Sequence, residues 1–480
     1  MTLARRRAGR RWQQRRTALA LCYCQQIPPT METSRSPVHE IVHCLWRALE
    51  ALGVRVHLGD VERWGFAIHS TLSAPGREFH NHHHVLDIAR GADPLEALAA
   101  LYHDAVYMQV DQGLPRAMAQ TLDGLIAEEP GGWRILPGAA EGPAKDVLAV
   151  FDRRVGDLVT LGGGLNELAS AMVAATHLAP VLERSQRIAI AACIEQTVPF
   201  RPDPCAALAK RLDGLGITGA ELRTTMTRAV RLGNRDVENF GEANPARFLD
   251  NTWKLLPESN PSLHSPMVYT VREYRIALHK MEAFLSWLPA ERVFHTWGGE
   301  PDAAVYAQMV ARVTANLELA VRYLRAKLYS IAMVEAIADI TGGDVPLDYF
   351  MGGGKSPARP AMRRIEQFLP ELNDRADLDP PLHRLLSEGR ASESSFDISP
   401  SPLGAFLHLS IGEAAMMAGV AEAKRWWNGE ITALAFLTAQ DPESVVAILT
   451  AAAEIIDTRR AALESLLAHF ERQTPLSSAP

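Results

Sequence analysis

The sequence predicts an all-α protein, and three observations support this fold class. Apolar residues recur at helical spacing along most of the 480-residue chain. No segment of useful length alternates apolar and polar residues as a half-buried strand does. Hydrophobic residues make up 47% and charged residues 22% of the chain, which is a globular composition. A chain of this length exceeds one compact domain, so we expect two domains or one enlarged helical domain.

The helical pattern can be followed from the first core segment to the C-terminal region. Residues 94–104 are a clear case, because Pro94 suits a first helical turn and strong helix formers follow it. The periodicity predicts helices at residues 45–54, 94–104, 147–159, from about 166, and at 224–248, 269–288, 306–340, 407–424, 444–456 and 459–470.

A tract of histidines is the most informative part of the chain. From residue 79 the sequence reads Phe-His-Asn-His-His-His-Val. His80 and His84 are four residues apart and Asp87 is three further on, so all three share one face if this stretch is helical. A histidine tract by itself is also compatible with a solvated surface.

A His-Asp pair follows in a second apolar segment. His103 and Asp104 lie at the end of the predicted helix 94–104. An aspartate in such a place is costly to desolvate without a partner, and a bound cation is the simplest partner. A His-Asp pair alone is common by chance, but its separation from the histidine tract suits two adjacent antiparallel helices. Imidazole nitrogen and carboxylate oxygen from two rigid elements therefore predict a divalent-metal site.

At these residues the chain resembles the HD-domain superfamily of metal-dependent phosphohydrolases. Phe79-His80-Asn81-x-x-His84 is similar to an aromatic-His-Asn-x-x-His element shared by cyclic nucleotide phosphodiesterases and a bacterial group of predicted HD phosphohydrolases. That group adds His-Asp-Ala-Val-Tyr, matched by residues 103–107, and an Asn-Glu pair, matched by Asn166-Glu167. Its Ala-Thr-x-x-His element is matched in part by Ala175-Thr176-His177, which lacks the two-residue gap. The resemblance covers about residues 79–201.

The resemblance implies a role for each matched residue. His84, His103 and Asp104 match metal ligands, with Asp104 also expected to act in catalysis by bridging. His80 matches the histidine that protonates the leaving oxygen in the phosphodiesterases. The candidates for binding the substrate, or for orienting the metal ligands, are Asn81, Tyr107, Glu167 and His177.

Two of these candidates also have structural interpretations. His177 could equally cap the C-terminus of a helix before Pro180. Glu167 could belong to a helix start that Asn166 caps.

The superfamily closes its metal site with a further aspartate on a later helix, and the chain has no clean match for it. Glu195 is a carboxylate in an apolar segment at about the expected distance after His177. Asp236 is the competitor, although its neighbour Arg235 offers a salt bridge instead. We expect Glu195 to complete the ligand set, with motif position as the reason.

The resemblance implies an HD-type helical bundle that holds one or two divalent ions (Mn, Mg, Co, Fe or Zn). The expected reaction is cleavage of a phosphomonoester or phosphodiester, with nucleotides as the default substrate, by a metal-activated water. One alternative is an HD-type di-iron oxygenase, in which His80 or His177 would join the ligands. The other alternative is a non-catalytic HD scaffold or regulatory protein.

The domain organisation follows from shifts in composition. We expect a disordered basic arm at residues 1–35, although a signal or a natural start at Met31 would also explain that segment. The HD-type domain is expected at 36–340, with a Pro/Gly-punctuated insertion at about 108–165 that lids the site or forms a peripheral subdomain. An irregular linker at 341–402 and an additional C-terminal helical region at 403–480 complete the division.

Charge and cysteine content restrict the partners and the compartment. The net charge of -7 gives no general attraction to nucleic acid. An odd number of cysteines, five, without paired metal spacing argues against a disulfide framework and suits a reducing cytoplasm. No apolar run approaches the ~20 residues of a membrane helix. We therefore expect a phosphorylated small molecule as the partner, and a homo-oligomer through the C-terminal helices is compatible with the sequence.

Overall fold

The fold is described from a computed structural model. It describes residues 35–265, 268–352, 363–373, 375 and 377–472. The expected disorder of the basic N-terminal arm falls on residues outside this set, apart from Arg35.

Helices dominate the described part of the chain, which confirms the all-α class. The helices of the N-terminal half are α1 (Pro37–Ala51), α2 (Leu58–Leu72), α3 (His82–Ala89), α4 (Pro94–Tyr102), α5 (Met108–Asp111), α6 (Arg116–Leu122), α7 (Gly142–Val150), α8 (Leu165–Leu178), α9 (Arg184–Gln196), α10 (Pro204–Gly214) and α11 (Gly219–Asp236). The helices of the C-terminal half are α12 (Pro245–Ser259), α13 (Val271–Trp287), α14 (Ala303–Thr341), α15 (Leu347–Met351), α16 (Pro380–Ser387), α17 (Pro402–Trp427), α18 (Ala433–Thr438), α19 (Pro442–Ala453) and α20 (Arg460–Glu471).

The insertion between α6 and α8 contains a small antiparallel sheet that the helical pattern did not predict. Its strands are β1 (Ile126–Glu129), β2 (Gly132–Ile135) and β3 (Leu158–Val159), in that spatial order. Ile126 lies opposite Ile135, and both side chains are buried. The helix predicted at 147–159 is therefore wrong beyond Val150, because β3 completes the sheet after a turn.

The first hydrophobic core surrounds α4 and α9, which are buried on nearly every side. Helices α1, α3, α8 and α11 pack around these two. Helix α4 is fixed at its start by Asp93, whose Oδ1 accepts the N–H groups of Leu95 and Glu96, with Pro94 in the first turn. This cap sets where α4 begins, and His103 and Asp104 follow its last residue, Tyr102.

A second hydrophobic core begins after α11 and is organised by the 39-residue helix α14. Helices α13, α17 and α18 pack along it. The boundary between the two clusters of buried apolar residues falls between Leu232 and Val237, not near residue 340. The expected domain boundary at residue 340 does not coincide with the boundary between these cores. The division of the chain into domains stays a prediction.

The segment expected as an irregular linker, 341–402, contributes to the second core. Phe350, Ile365 and Leu382 are buried in it, and α15 and α16 lie within the segment. The described residues of this segment therefore pack as part of the C-terminal half. The sequence pattern did not predict these buried contacts, because the segment contains few aliphatic residues.

One helix among the described residues, α17, is long and apolar enough to cross a membrane by length and composition alone. In its most apolar window 56% of the residues are buried inside the fold, and core helices pass the same test. This helix has a kink at Gly412, whose φ is +78°.

The crossing of α9 and α11 depends on a glycine. A Cβ atom on Gly233 would lie 2.6 Å from the backbone oxygen of Gln196, so only glycine allows this approach. Asp236 lies three residues further along α11. The position of its carboxylate therefore depends on how closely these two helices pack.

We predict that Gly233→Ala lowers the free energy of unfolding by about 1–3 kcal/mol, because the methyl group overpacks the crossing. Urea denaturation of the full chain measures this change. Gly214→Ala is the matched control, since a Cβ there meets nothing within 4 Å. Equal losses of unfolding free energy in the two variants would show that close packing at Gly233 does not stabilise the fold.

Candidate metal centre

Four side chains from three separate segments converge at one end of the first core. They are His84 on α3, His103 and Asp104 after α4, and Asp236 at the end of α11. Each offers one ligand atom, and these atoms all lie within 4.8 Å of one another. The group brings together three of the predicted ligands and the competitor Asp236.

The distances within this group are those of neighbouring ligands on one ion. The Oδ1 atom of Asp236 lies 3.0 Å from His84 Nε2 and 3.2 Å from His103 Nε2. The Oδ2 atom of Asp104 lies 3.0 Å from His103 Nε2 and 3.6 Å from His84 Nε2. Ligands held at the usual ~2.1 Å from a divalent ion are roughly 3 to 3.5 Å apart, so the donors fit one ion.

The tautomer of His103 is settled by its second nitrogen. His103 Nδ1 donates to the carbonyl oxygen of Ala100 at 2.7 Å, because a carbonyl can only accept. With a neutral ring, Nε2 is then the nitrogen with the free lone pair, and it is the atom that faces the carboxylates. Backbone bonding of this kind orients metal-ligating histidines in general.

One oxygen in the group lacks a conventional partner. Asp104 Oδ2 is buried and has no hydrogen bond among the described residues, although His103 Nε2 is close by. Unpartnered buried carboxylate oxygens are costly, and a cation offsets that cost. The orphan oxygen and the mixed imidazole-carboxylate set therefore both fit a divalent metal.

The electrostatics show how strongly these groups depend on one another. Burial would raise the pKa of Asp236, but His103 and His84 outweigh burial and lower that pKa to about 2. The pKa of Asp104 is lowered in the same way, because His103 and His80 outweigh the effect of burial. Both carboxylates are thus held ionised by protonated imidazoles, and the same carboxylates raise the pKa of His103. A bound cation would take over this role and leave the imidazoles neutral.

His80 lies outside the ligand group and has a partner of its own. Its Nδ1 is 2.5 Å from Glu258 Oε2, on α12 of the C-terminal half. The other oxygen of Glu258 accepts the backbone N–H groups of Phe79 and His80. Burial lowers the pKa of His80, yet Glu258 and Asp104 raise it to about 9. The imidazole is therefore protonated at neutral pH.

Arg77 holds the backbone of Asp104 in place. Its guanidinium forms a bidentate ion pair with Asp111, with N–O distances of 2.9 and 2.6 Å. The remaining nitrogen donates to the backbone oxygen of Asp104 at 2.7 Å. This buried arginine therefore fixes the backbone of Asp104, the residue whose Oδ2 lacks a hydrogen bond. Sequence patterns gave no sign of either Arg77 or Glu258, because both act through distant partners.

Tyr107 and Glu167 line the cavity beside the ligands, as the sequence predicted for substrate-facing groups. The Tyr107 ring lies 4.4 Å from the His80 ring, measured between centroids. Burial, with a contribution from Asp104 and Asp236, raises the pKa of Glu167 to about 7. A role for either residue in binding substrate stays a prediction.

The expected fourth ligand, Glu195, is corrected by the structure. Its carboxylate is 2.6 Å from both Arg201 and Arg211, and Gln196 donates to its other oxygen. These partners explain a buried carboxylate in an apolar helix without a metal. Asp236 takes the place in the ligand group, because α11 ends at that point.

His177 lies in a different place from the metal ligands. Its ring nitrogens are 3.2 Å from Tyr102 OH and 3.1 Å from Thr121 Oγ1, and its ring stacks on Trp64. It lines a separate pocket between α2, α6 and α8. His177 therefore lies apart from the ligand group, and the missing gap in its motif was the available signal. A role for His177 in binding substrate stays a prediction.

Asn81 and Asp87 both have local partners, and a role for Asn81 in binding substrate or supporting the ligands stays a prediction. Asn81 is the N-cap of α3, with its Oδ1 accepting the His83 N–H and its Nδ2 donating to Glu78. Because α3 begins only at His82, His80 does not share a helical face with His84. Asp87 is exposed and pairs with Arg90.

No known family model matches this sequence, and comparisons with curated proteins and with solved structures give no match either. The resemblance to HD-domain phosphohydrolases therefore remains a prediction from the motifs.

We predict that Asp236→Ala weakens Mn²⁺ binding at least 100-fold, because it removes the oxygen that faces both imidazoles. The matched variant Glu195→Gln should keep the metal affinity near its original value, although loss of the buried pairs lowers stability. Calorimetric titration of the full chain with Mn²⁺ compares the two. A metal-binding loss confined to Glu195→Gln would restore the original assignment.

Proposed function

We propose that this protein is a metal-dependent hydrolase of phosphoric esters, with His84, His103, Asp104 and Asp236 as the residues that hold the ion. The single observation that supports it most is the convergence of two imidazoles and two ionised carboxylates beside a protonated His80. Binding groups on one side and a proton donor on the other are what ester hydrolysis needs.

The ion would supply a hydroxide nucleophile from bound water at neutral pH and would polarise a phosphoryl oxygen. The chain itself supplies the fixed geometry. His103 is oriented by Ala100, and the Asp104 backbone is held by Arg77. Because both supports are buried, the ligands are pre-organised before substrate arrives.

His80 is placed to donate a proton to the leaving alcohol. Its Nδ1 is occupied by Glu258, so its Nε2 is the nitrogen available for the transfer. A carboxylate behind an imidazole stabilises the charged form and fixes the ring orientation. Both His80 and Asp104 line the same cavity, so a phosphate near the ligands is within the reach of His80.

The oxygenase alternative has less support from the geometry. It would require His80 or His177 among the metal ligands, but Glu258 engages His80, while His177 pairs with Tyr102 and Thr121 in another pocket. The non-catalytic scaffold has no specific observation in its favour.

We predict that Asp104→Ala removes bound metal and lowers phosphatase activity by at least 10³-fold while the helical content is kept. The test is a screen of phosphate monoesters and diesters on Mn²⁺-loaded protein, with metal content measured on the same samples. Asp87→Ala is the matched control, because Asp87 is exposed and pairs only locally. Full activity in Asp104→Ala would refute the proposal.

We predict that Glu258→Gln lowers kcat about 10²-fold and leaves the metal content unchanged, because only the proton donor is affected. Removal of the Glu258 charge lowers the pKa of His80, so the protonated form is lost at a lower pH. The alkaline limb of the kcat profile should therefore move toward lower pH. His80→Asn should abolish that limb, and an unmoved limb in Glu258→Gln would show that another group is the acid.

A further inference from the structure

The cavity beside the metal ligands has an aromatic wall that the proposed chemistry does not use. It has a volume of about 490 Å³ and lies where the two hydrophobic cores meet. Four of its lining rings are only partly buried: Phe79, Phe151, Phe200 and Phe284. They come from separate elements of both halves, so apolar surface faces the cavity from several sides.

Phe200 packs against two other aromatic rings that line the cavity. Its backbone φ is +58°, in the left-handed region that residues with a side chain rarely adopt. Its ring lies 5.4 Å from that of Phe240 and 5.6 Å from that of Phe284. Backbone strain that the surrounding structure maintains is frequent where a side chain must be presented to a ligand.

The arginines of the lining are few, and their side chains are engaged. Arg201 is committed to Glu195, and Arg153 donates to the backbone oxygen of Gly163. Arg153 is the one arginine of this lining without a carboxylate partner among the residues that the structure describes. A cavity with so few available cations can balance one phosphate group at the metal ligands but not a chain of several phosphates.

We propose that the site selects phosphate monoesters whose organic part is flat and apolar, with Phe200 and Phe284 as the surface on which that part lies. This inference rests on the proposed function and adds the substrate class to it. The phosphate lies at the ligand group and His80, and the organic part extends along the aromatic wall. Polyphosphates are disfavoured because the remaining lining offers them carboxylates and aromatic rings.

The test compares two pairs of compounds on the Mn²⁺-loaded full chain. Binding is measured by calorimetry with 2-(1-naphthyl)ethylphosphonate and with ethylphosphonate, neither of which can be hydrolysed as an ester. Hydrolysis is measured with the two corresponding phosphate esters, which share a primary-alcohol leaving group. We expect the naphthyl compound to bind at least tenfold more tightly and to have the higher kcat/KM. Tripolyphosphate should compete weakly.

Variants of the wall show whether these rings cause the preference. Phe200→Ala and Phe284→Ala should each lower the ratio of the two phosphonate affinities about tenfold. Phe200→Leu separates loss of the ring from loss of apolar volume, and should lower the ratio less. Phe66→Ala, at an exposed ring on α2, is the matched control and should leave the ratio unchanged.

The outcomes separate this inference from the proposed function. Hydrolysis of both esters with equal affinities for the two phosphonates would overturn the substrate class and keep the hydrolase. Preferential naphthyl binding that depends on Phe200, without hydrolysis of any ester, would support the binding surface and overturn the hydrolase. A preference that both phenylalanine variants leave unchanged would overturn the assignment of the wall.

Discussion

The contact of one carboxylate with two imidazoles is the interaction on which the rest of the site depends. Asp236 Oδ1 faces both His84 and His103, and so joins α11 to the ends of α3 and α4. It reaches that position only because α11 crosses α9 closely at Gly233. The group holds two carboxylates, and one of their oxygens has no hydrogen bond among the described residues. The metal proposal rests on this donor set, because a cation offsets the cost of such buried carboxylates.

The C-terminal half of the chain is part of this site. Glu258 lies on α12, which packs in the second core, yet it binds the backbone and the ring of His80 in the N-terminal half. Phe240 and Phe284 likewise extend the cavity wall from that half. Both halves therefore line one cavity, and a change in their packing would alter the cavity and the surroundings of His80, the proposed proton donor, together. Sites at such junctions commonly combine a rigid scaffold with a shaped pocket.

The sequence predicted the local features of this site and failed on the distant ones. His84, His103 and Asp104 could be predicted because the histidine tract and the cost of a buried aspartate are local features. The helical face expected to join His80 and His84 was wrong, because the helix begins only at His82. The partners of Glu195 and the role of Glu258 depend on tertiary contacts, so no motif identified them. The strands were missed for a physical reason as well. They span four residues or fewer, too short to show an alternating pattern.

Carboxylates of one cavity differ in charge state because their surroundings differ. Asp236 is stabilised as an anion by two imidazoles, whereas Glu167 faces the cavity without such partners and has a pKa raised to about 7. Groups whose pKa values are pushed apart in this way can take different roles in one reaction. Asp236 suits the permanent charge of a ligand. In the proposed reaction, Glu167 would be the proton acceptor and the protonated His80 the proton donor beside the proposed ion site.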